Sequence, residues 1–201
     1  MKQLFLQIAF LLILQIGYTQ NDTFSTDNQL SLKPYFSIGC IYPIEFGSTA
    51  LSEGHTANIG VNSSLGILRY SNFSAGFGID FVSYSVKNEQ IIGDFERSNH
   101  YSCFGFINYD YPIGNKVSLT PSFGYGVSEL SIRKNKTRRG MQDGKEIRLG
   151  TSINYNFNQH NALCLSILYV NNRYDVNTNE AVKDYFGKSN SIQIGILYRL
   201  K

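Results

Sequence analysis

The chain has 201 residues, a formal charge of +3, 16% charged side chains and 14% aromatic ones, the latter 14 Tyr and 14 Phe with no Trp. The charge is too small to argue for nucleic acid, and the charged fraction lies below the ~25% usual for soluble domains. Cys40, Cys103 and Cys164 are odd in number and far apart, which argues against a disulfide framework and for three small apolar residues.

Residues 1–20 read as a secretory signal peptide. Lys2 supplies the positive start, Leu4 to Ile16 is an apolar stretch broken by Gln7 and Gln15, and Gly17-Tyr18-Thr19 offers small residues before Gln20. The run is shorter than the ~20 apolar residues a spanning helix needs. Removing Lys2 with the signal leaves a charge of +2 (3 − 1). Residues 21–31 are polar and predict a flexible lead-in. Residues 32–201 carry the fold.

From there the chain alternates with period two. The first predicted strand runs Leu32–Tyr42, with Pro34, Phe36, Ile38 and Cys40 on one face. The second, Thr56–Leu68, puts Ala57, Ile59, Val61, Leu65 and Ile67 opposite Asn58, Gly60, Asn62, Ser64 and Gly66. The third, Phe73–Val86, sets Phe73, Ala75, Phe77, Ile79 and Phe81 against Ser74, Gly76, Gly78 and Asp80. The fourth, Asn99–Tyr111, is the least regular, because Phe104 and Phe106 share a side with Ser102, Asn108 and Asp110. The fifth is Val117–Ile132, the sixth Glu146–Phe157 and the seventh Ala162–Tyr174. The last eleven residues form the eighth. There Ile192, Ile194, Ile196, Tyr198 and Leu200 oppose Gln193, Gly195, Arg199 and Lys201, with Leu197 the one apolar intruder.

Eight such strands are long enough to cross a membrane at a tilt, and their connections alternate in length. Those after strands two, four and six are short; the others span roughly 42–55, 87–98, 133–145 and 175–189. Aromatics gather at the strand ends. Tyr70, Phe73, Tyr109, Tyr111, Tyr155, Phe157 and Tyr198 stand near the short turns, and Tyr42, Tyr84, Tyr101 and Tyr174 near the long loops. Two such rings suit the two membrane interfaces. The predicted fold is therefore all-β: an eight-stranded antiparallel up-and-down transmembrane β-barrel with short periplasmic turns and four longer external loops. A soluble lipocalin-like carrier is the alternative, with the apolar faces turned inward.

The signal peptide, the eight alternating segments and the closing Gly195-Ile-Leu-Tyr-Arg-Leu-Lys201 resemble the outer-membrane β-barrel domain family, with its small OmpA- and OmpX-type barrels. The resemblance covers residues 30–201 and concerns architecture. It implies residence in the cell outer membrane, contact with outer-membrane lipids including lipopolysaccharide, and recognition of the last strand by the barrel-insertion machinery. Many such barrels end in Phe, whereas here the last aromatic is Tyr198 and the chain ends in Lys201.

A barrel of this size has an interior that side chains fill, so an open pore is not expected. The inward faces carry Asp80, Asp110, Arg148 and Arg199, with Lys33 near an end. Charges in a low-dielectric lumen need partners, and matching depths predict two pairs, Asp80 with Arg148 and Asp110 with Arg199. On that reading, exchanging Asp80 and Arg148 preserves folding. Arg133, Lys134, Lys136, Arg138 and Arg139 make the third long loop strongly cationic, suited to the phosphates of anionic lipids or to acidic glycans. No metal-ligand spacing, phosphate loop or nucleophile elbow occurs, and neither a metal nor a cofactor nor catalysis is expected. His55 and His100, with Ser52, Ser98 or Asp94, are the one set that would suit acyl transfer. His160 lies in a short turn, away from them. The expected function is a structural, surface-contact or interaction role, with a barrel component of export or assembly machinery and a narrow solute channel as alternatives.

Overall fold

The computed structural model describes residues 30–135 and 137–201. The predicted signal peptide, residues 21–29 of the predicted lead-in and Lys136 lie outside the described residues. Ten strands follow in order: β1 (Leu30–Phe46), β2 (His55–Ala57), β3 (Gly60–Tyr70), β4 (Phe73–Val86), β5 (Arg97–Tyr109), β6 (Tyr111–Pro112), β7 (Val117–Lys134), β8 (Thr137–Asn156), β9 (Asn161–Tyr174) and β10 (Lys188–Leu200). Three short helices, α1 (Ala50–Gly54), α2 (Glu89–Ile92) and α3 (Glu180–Gly187), lie in the connections.

Eight strands form a closed antiparallel ring in the order β1, β3, β4, β5, β7, β8, β9, β10. The last strand closes on the first, from Phe36 opposite Leu200 to Phe46 opposite Asn190. That seam removes the edge that a terminal strand would otherwise expose. β2 and β6 are short additions outside the ring.

The alternation resolves into an apolar exterior and a polar interior. Ile38, Phe77, Ile79, Ile107, Phe123, Leu149, Ile153, Leu165, Ile167, Ile194 and Ile196 are 44–63% exposed. Ser37, Asn62, Asp80, Ser102, Thr120, Arg148, Asn154, Ser166 and Gln193 are buried inside. Water would not tolerate so large an apolar exterior, whereas the hydrocarbon of a bilayer does. This is the reverse of a soluble carrier's arrangement and rules that alternative out.

Several boundaries differ from expectation. β1 begins at Leu30, so Leu30 and Ser31 of the predicted lead-in pair with Tyr70 and Arg69. The second predicted strand is broken in two. Its pairing with β4 slips by one residue between Ala57–Tyr84 and Val61–Phe81, the signature of a bulge. The slip re-aims β2, and His55 turns inward. The third long loop is a β-hairpin: β7 and β8 run paired to Lys134 opposite Thr137, with Asn135 left-handed at the tip (φ 49°). Asparagine tolerates that conformation better than most residues.

The aromatic ring at the short-turn end is complete: Tyr70, Phe73, Tyr109, Tyr111, Tyr155, Phe157 and Tyr198 are all exposed. At the other end Tyr42 and Tyr101 are exposed, but Tyr84 and Tyr174 are buried. Their positions share parity with Val82 and Asn172, which are also buried, so they point into the barrel. There they join Ile41, Leu51, Val82 and Leu130 in an apolar cluster. Thr49 caps α1 through its hydroxyl and, with Ser52, forms a capping box, and this turn seats Leu51 on the cluster. Cys40 and Cys103 are exposed, Cys164 is buried, and all three are free thiols.

Candidate functional site

Arg148 organises a polar layer inside the lumen. Position 148 faces inward on β8, opposite Gly124 of β7 and Val170 of β9. Its Nη2 donates to Asp80 Oδ2 from β4 and, at 2.7 Å, to Gln193 Oε1 from β10. Its Nε lies 3.4 Å from Glu146 Oε1, and its guanidinium carbon lies 3.9 Å over the Phe104 ring. Asn62 Nδ2 also donates to Asp80. Ser102 Oγ donates to Glu146 Oε1 at 2.7 Å, and His100 Nε2 lies 3.7 Å from Glu146 Oε2. Side chains from β4, β5, β8 and β10, together with Asn62 from β3, thus meet across the lumen.

The Asp80–Arg148 contact joins one of the two residue sets expected from depth. The other set is not joined. Thr120 Oγ1 donates to Asp110 Oδ1 at 2.6 Å, and Asn154 Nδ2 donates to Thr120 Oγ1 at 2.6 Å. Arg199 instead donates from Nε to Ser37 Oγ at 3.3 Å and lies 4.5 Å over the Tyr35 ring. The neutral groups nearest each charge satisfy it first, so no Asp110–Arg199 ion pair forms among the described residues. A cavity of about 100 Å³ separates the Arg148 and Arg199 layers, lined by Tyr35, Phe106, Asn108 and Ser166 among others. It is large enough for a few waters.

Sequence reasoning misses Glu146, His100 and Gln193 as partners of the lumen charges. The signal for the first two is parity: Glu146 lies two residues from Arg148, and His100 two from Ser102, so each pair shares a face.

At the long-loop end His55 Nε2 lies 2.8 Å from Ser98 Oγ. Both are buried beneath α1, beside a cavity of about 60 Å³ lined by Leu51, Leu130, Tyr174 and Phe186 among others. Burial pushes the His55 imidazole down to about 4, and nearby Lys87 acts in the same direction, so it is neutral near pH 7. The other members of the acyl-transfer set are elsewhere. Ser52 serves the α1 cap, Asp94 pairs with Lys134, and His100 lies deeper against Glu146. No group of three or more His, Cys, Asp or Glu side chains suited to a metal occurs among the described residues.

The cationic segment is divided by its hairpin. Lys134 pairs with Asp94 across to the α2 connection, and Arg138 Nη1 lies 3.5 Å from Glu129 Oε1. Arg139 is exposed, and Arg133 is half-buried. Lys136 lies outside the described residues.

Closed ring, polar plug and apolar exterior define the architecture, and solved structures share its fold. Neisserial surface protein A matches with a TM-score of 0.63 at 16% identity, over 86% of this chain and 99% of the other. The chain has the small outer-membrane β-barrel fold. A major outer membrane protein from Thermus thermophilus matches with a TM-score of 0.54 at 12% identity, over 83% of this chain and 99% of the other. At such identities the likeness is one of fold. No family model and no curated protein matches the chain.

Proposed function

We propose that this chain is an exported outer-membrane protein that works through its external surface and does not conduct solutes. The Arg148 layer supports this reading. A guanidinium held by Asp80, Glu146 and Gln193 and stacked on Phe104 fills the lumen. Above it, the cluster of Ile41, Leu51, Val82, Tyr84, Leu130 and Tyr174 forms a second, apolar stopper. A solute would have to displace both. The protruding β7–β8 hairpin, with Arg138 and Arg139 exposed at its tip, is the element that reaches farthest along the strands. Its proposed role is contact with anionic glycans or lipids at the cell surface.

Planar-bilayer recording tests the closed lumen. The purified barrel is expected to give no discrete conductance steps at moderate voltage. Regular single-channel openings, abolished by bulkier residues at Gly124 or Ser166, would overturn the reading.

A further inference from the structure

Lys145 of β8 stands directly opposite Arg173 of β9, and Arg173 stands directly opposite Lys188 of β10. Three cations therefore occupy one row across three neighbouring strands. The row faces outward, because the next residue on each strand, Glu146, Asn172 and Ser189, is buried inside. Lys145 and Arg173 are exposed. Like charges directly opposite one another repel, and a sheet normally avoids them. Among the described residues, Lys188 alone of the three has a carboxylate partner, Asp184 of α3. Asp143 and Asp175 lie two residues farther out along the chain, and among the described residues neither forms an ion pair with Lys145 or Arg173.

The height of the row explains what offsets the repulsion. Just inside it, Tyr169 Oη and Asn171 Nδ2 both donate to Asn190 Oδ1, at 2.9 and 2.8 Å. Then the outer wall turns apolar, with Ile147, Leu149 and Ile153 on β8, Ile167 and Leu165 on β9, and Ile194 and Ile196 on β10, all exposed. Ten residues from the cations, Tyr155, Leu163 and Tyr198 form the matching row at the other interface. At ~3.3 Å per residue and a tilt of ~40°, ten residues span about 25 Å, the height of the apolar band of such barrels. The cations therefore stand where lipid headgroups begin.

We propose that Lys145, Arg173 and Lys188 form a lateral site on the barrel wall for phosphate groups of anionic membrane lipids. The proposal rests on the reading that the barrel spans a membrane, but not on the role of its external surface. A phosphate accepts charge-assisted hydrogen bonds from guanidinium and ammonium groups. Seated between Lys145 and Arg173, it turns a repulsive pair into a bridged one. Lys188, already partnered by Asp184, completes the row from the third strand.

The test uses the full-length barrel in phosphatidylcholine nanodiscs, with or without phosphatidic acid, and melting followed by loss of the heat-modifiable folded form. The wild type is expected to melt several degrees higher when phosphatidic acid is present. The Lys145→Gln/Arg173→Gln variant is expected to lose that rise. In phosphatidylcholine alone it is expected to melt no lower than the wild type, because its repulsion is gone. An equal rise in both proteins, or the same rise from inorganic phosphate added to phosphatidylcholine discs, would overturn the site. Should the double variant not fold, native mass spectrometry of the single variants decides. Each is expected to retain fewer phosphatidic acid molecules than the wild type, and unchanged retention in both refutes the proposal. A closed lumen in bilayer recordings leaves this outcome untouched, so the two readings fail separately.

Discussion

Arg148 lies 3.9 Å over the Phe104 ring while its Nη2 bonds Asp80, so one guanidinium serves both an aromatic face and a buried carboxylate. The arrangement is self-supporting only as a set. Removing one partner of a buried ion pair leaves an uncompensated charge, at a cost of about 3–5 kcal/mol. Arg148→Met strands both Asp80 and Glu146. It is expected to lower the urea midpoint of the folded barrel strongly. Adding Asp80→Asn to that variant is expected to recover part of the loss. The pairing alone predicts that exchanging Asp80 and Arg148 preserves folding; with Glu146 beside Arg148 the exchange is instead expected to fail, because the new carboxylate at 148 would share a strand face with Glu146. Adding Glu146→Gln to the exchange relieves the clash. If the exchange alone folds like the wild type, Glu146 does not constrain what position 148 can carry, and the Arg148 layer is not held as a set.

Arg199 makes the contrasting case. Its contacts are the Ser37 hydroxyl and the Tyr35 ring, and Asp110 is held by Thr120 instead. Losing the guanidinium leaves no buried carboxylate orphaned. Arg199→Met is therefore expected to cost about 2 kcal/mol less than Arg148→Met, because a desolvated stacking contact is worth about 2 kcal/mol while broken buried pairs cost more. Paired urea titrations in one detergent measure the difference.

The same contrast shows what the sequence makes legible. Period two along Phe73–Phe81 or Ile192–Leu200 assigns every residue to wall or lumen, because only two faces exist. Strand count, ring closure and the burial of Asp80 and Arg148 follow from that parity. Partner choice does not. Depth along two strands matches Asp110 with Arg199, but depth ignores the hydroxyl of Thr120, which reaches Asp110 first. Parity also fails wherever a bulge adds a residue, and the slip after Ala57 is what turns His55 from a loop side chain into a buried one. The segment 133–145 reads as a loop because its charges mask a strand pattern. A hairpin standing clear of the membrane has no buried face to enforce alternation.

His55 carries a pH dependence whose sign is fixed by its burial. It sits in β2, outside the membrane-spanning ring, with its imidazole lowered from 6.5 to about 4. Between those values the opened segment binds a proton that the closed one refuses. Closure of α1 and β2 is therefore fully stable above about pH 6.5 and loses stability as pH falls towards 4. The full drop corresponds to about 3 kcal/mol. Hydrogen exchange across residues 50–57, corrected for intrinsic rates, is expected to accelerate from pH 7 to pH 5. In His55→Gln the acceleration should vanish. Equal pH responses in both proteins would assign the effect to another group.

The hairpin tip allows a prediction in which removing a negative charge strengthens binding. Asp94 holds Lys134, whereas Arg139 is exposed without an ion pair among the described residues. On an immobilised anionic polysaccharide at low salt, Arg139→Gln is expected to weaken retention, because it removes an available guanidinium. Asp94→Asn is expected to strengthen it, because Lys134 is released. Exposed pairs are worth up to ~1 kcal/mol, so each change should stay within about fivefold. Both effects should disappear near 1 M salt, where the screening length is about 3 Å. Lys145→Gln/Arg173→Gln leaves the tip intact and is expected to elute close to the wild type. Should the wall variant lose retention while Arg139→Gln keeps it, the polysaccharide is held by the barrel wall and the hairpin has no part in anion contact.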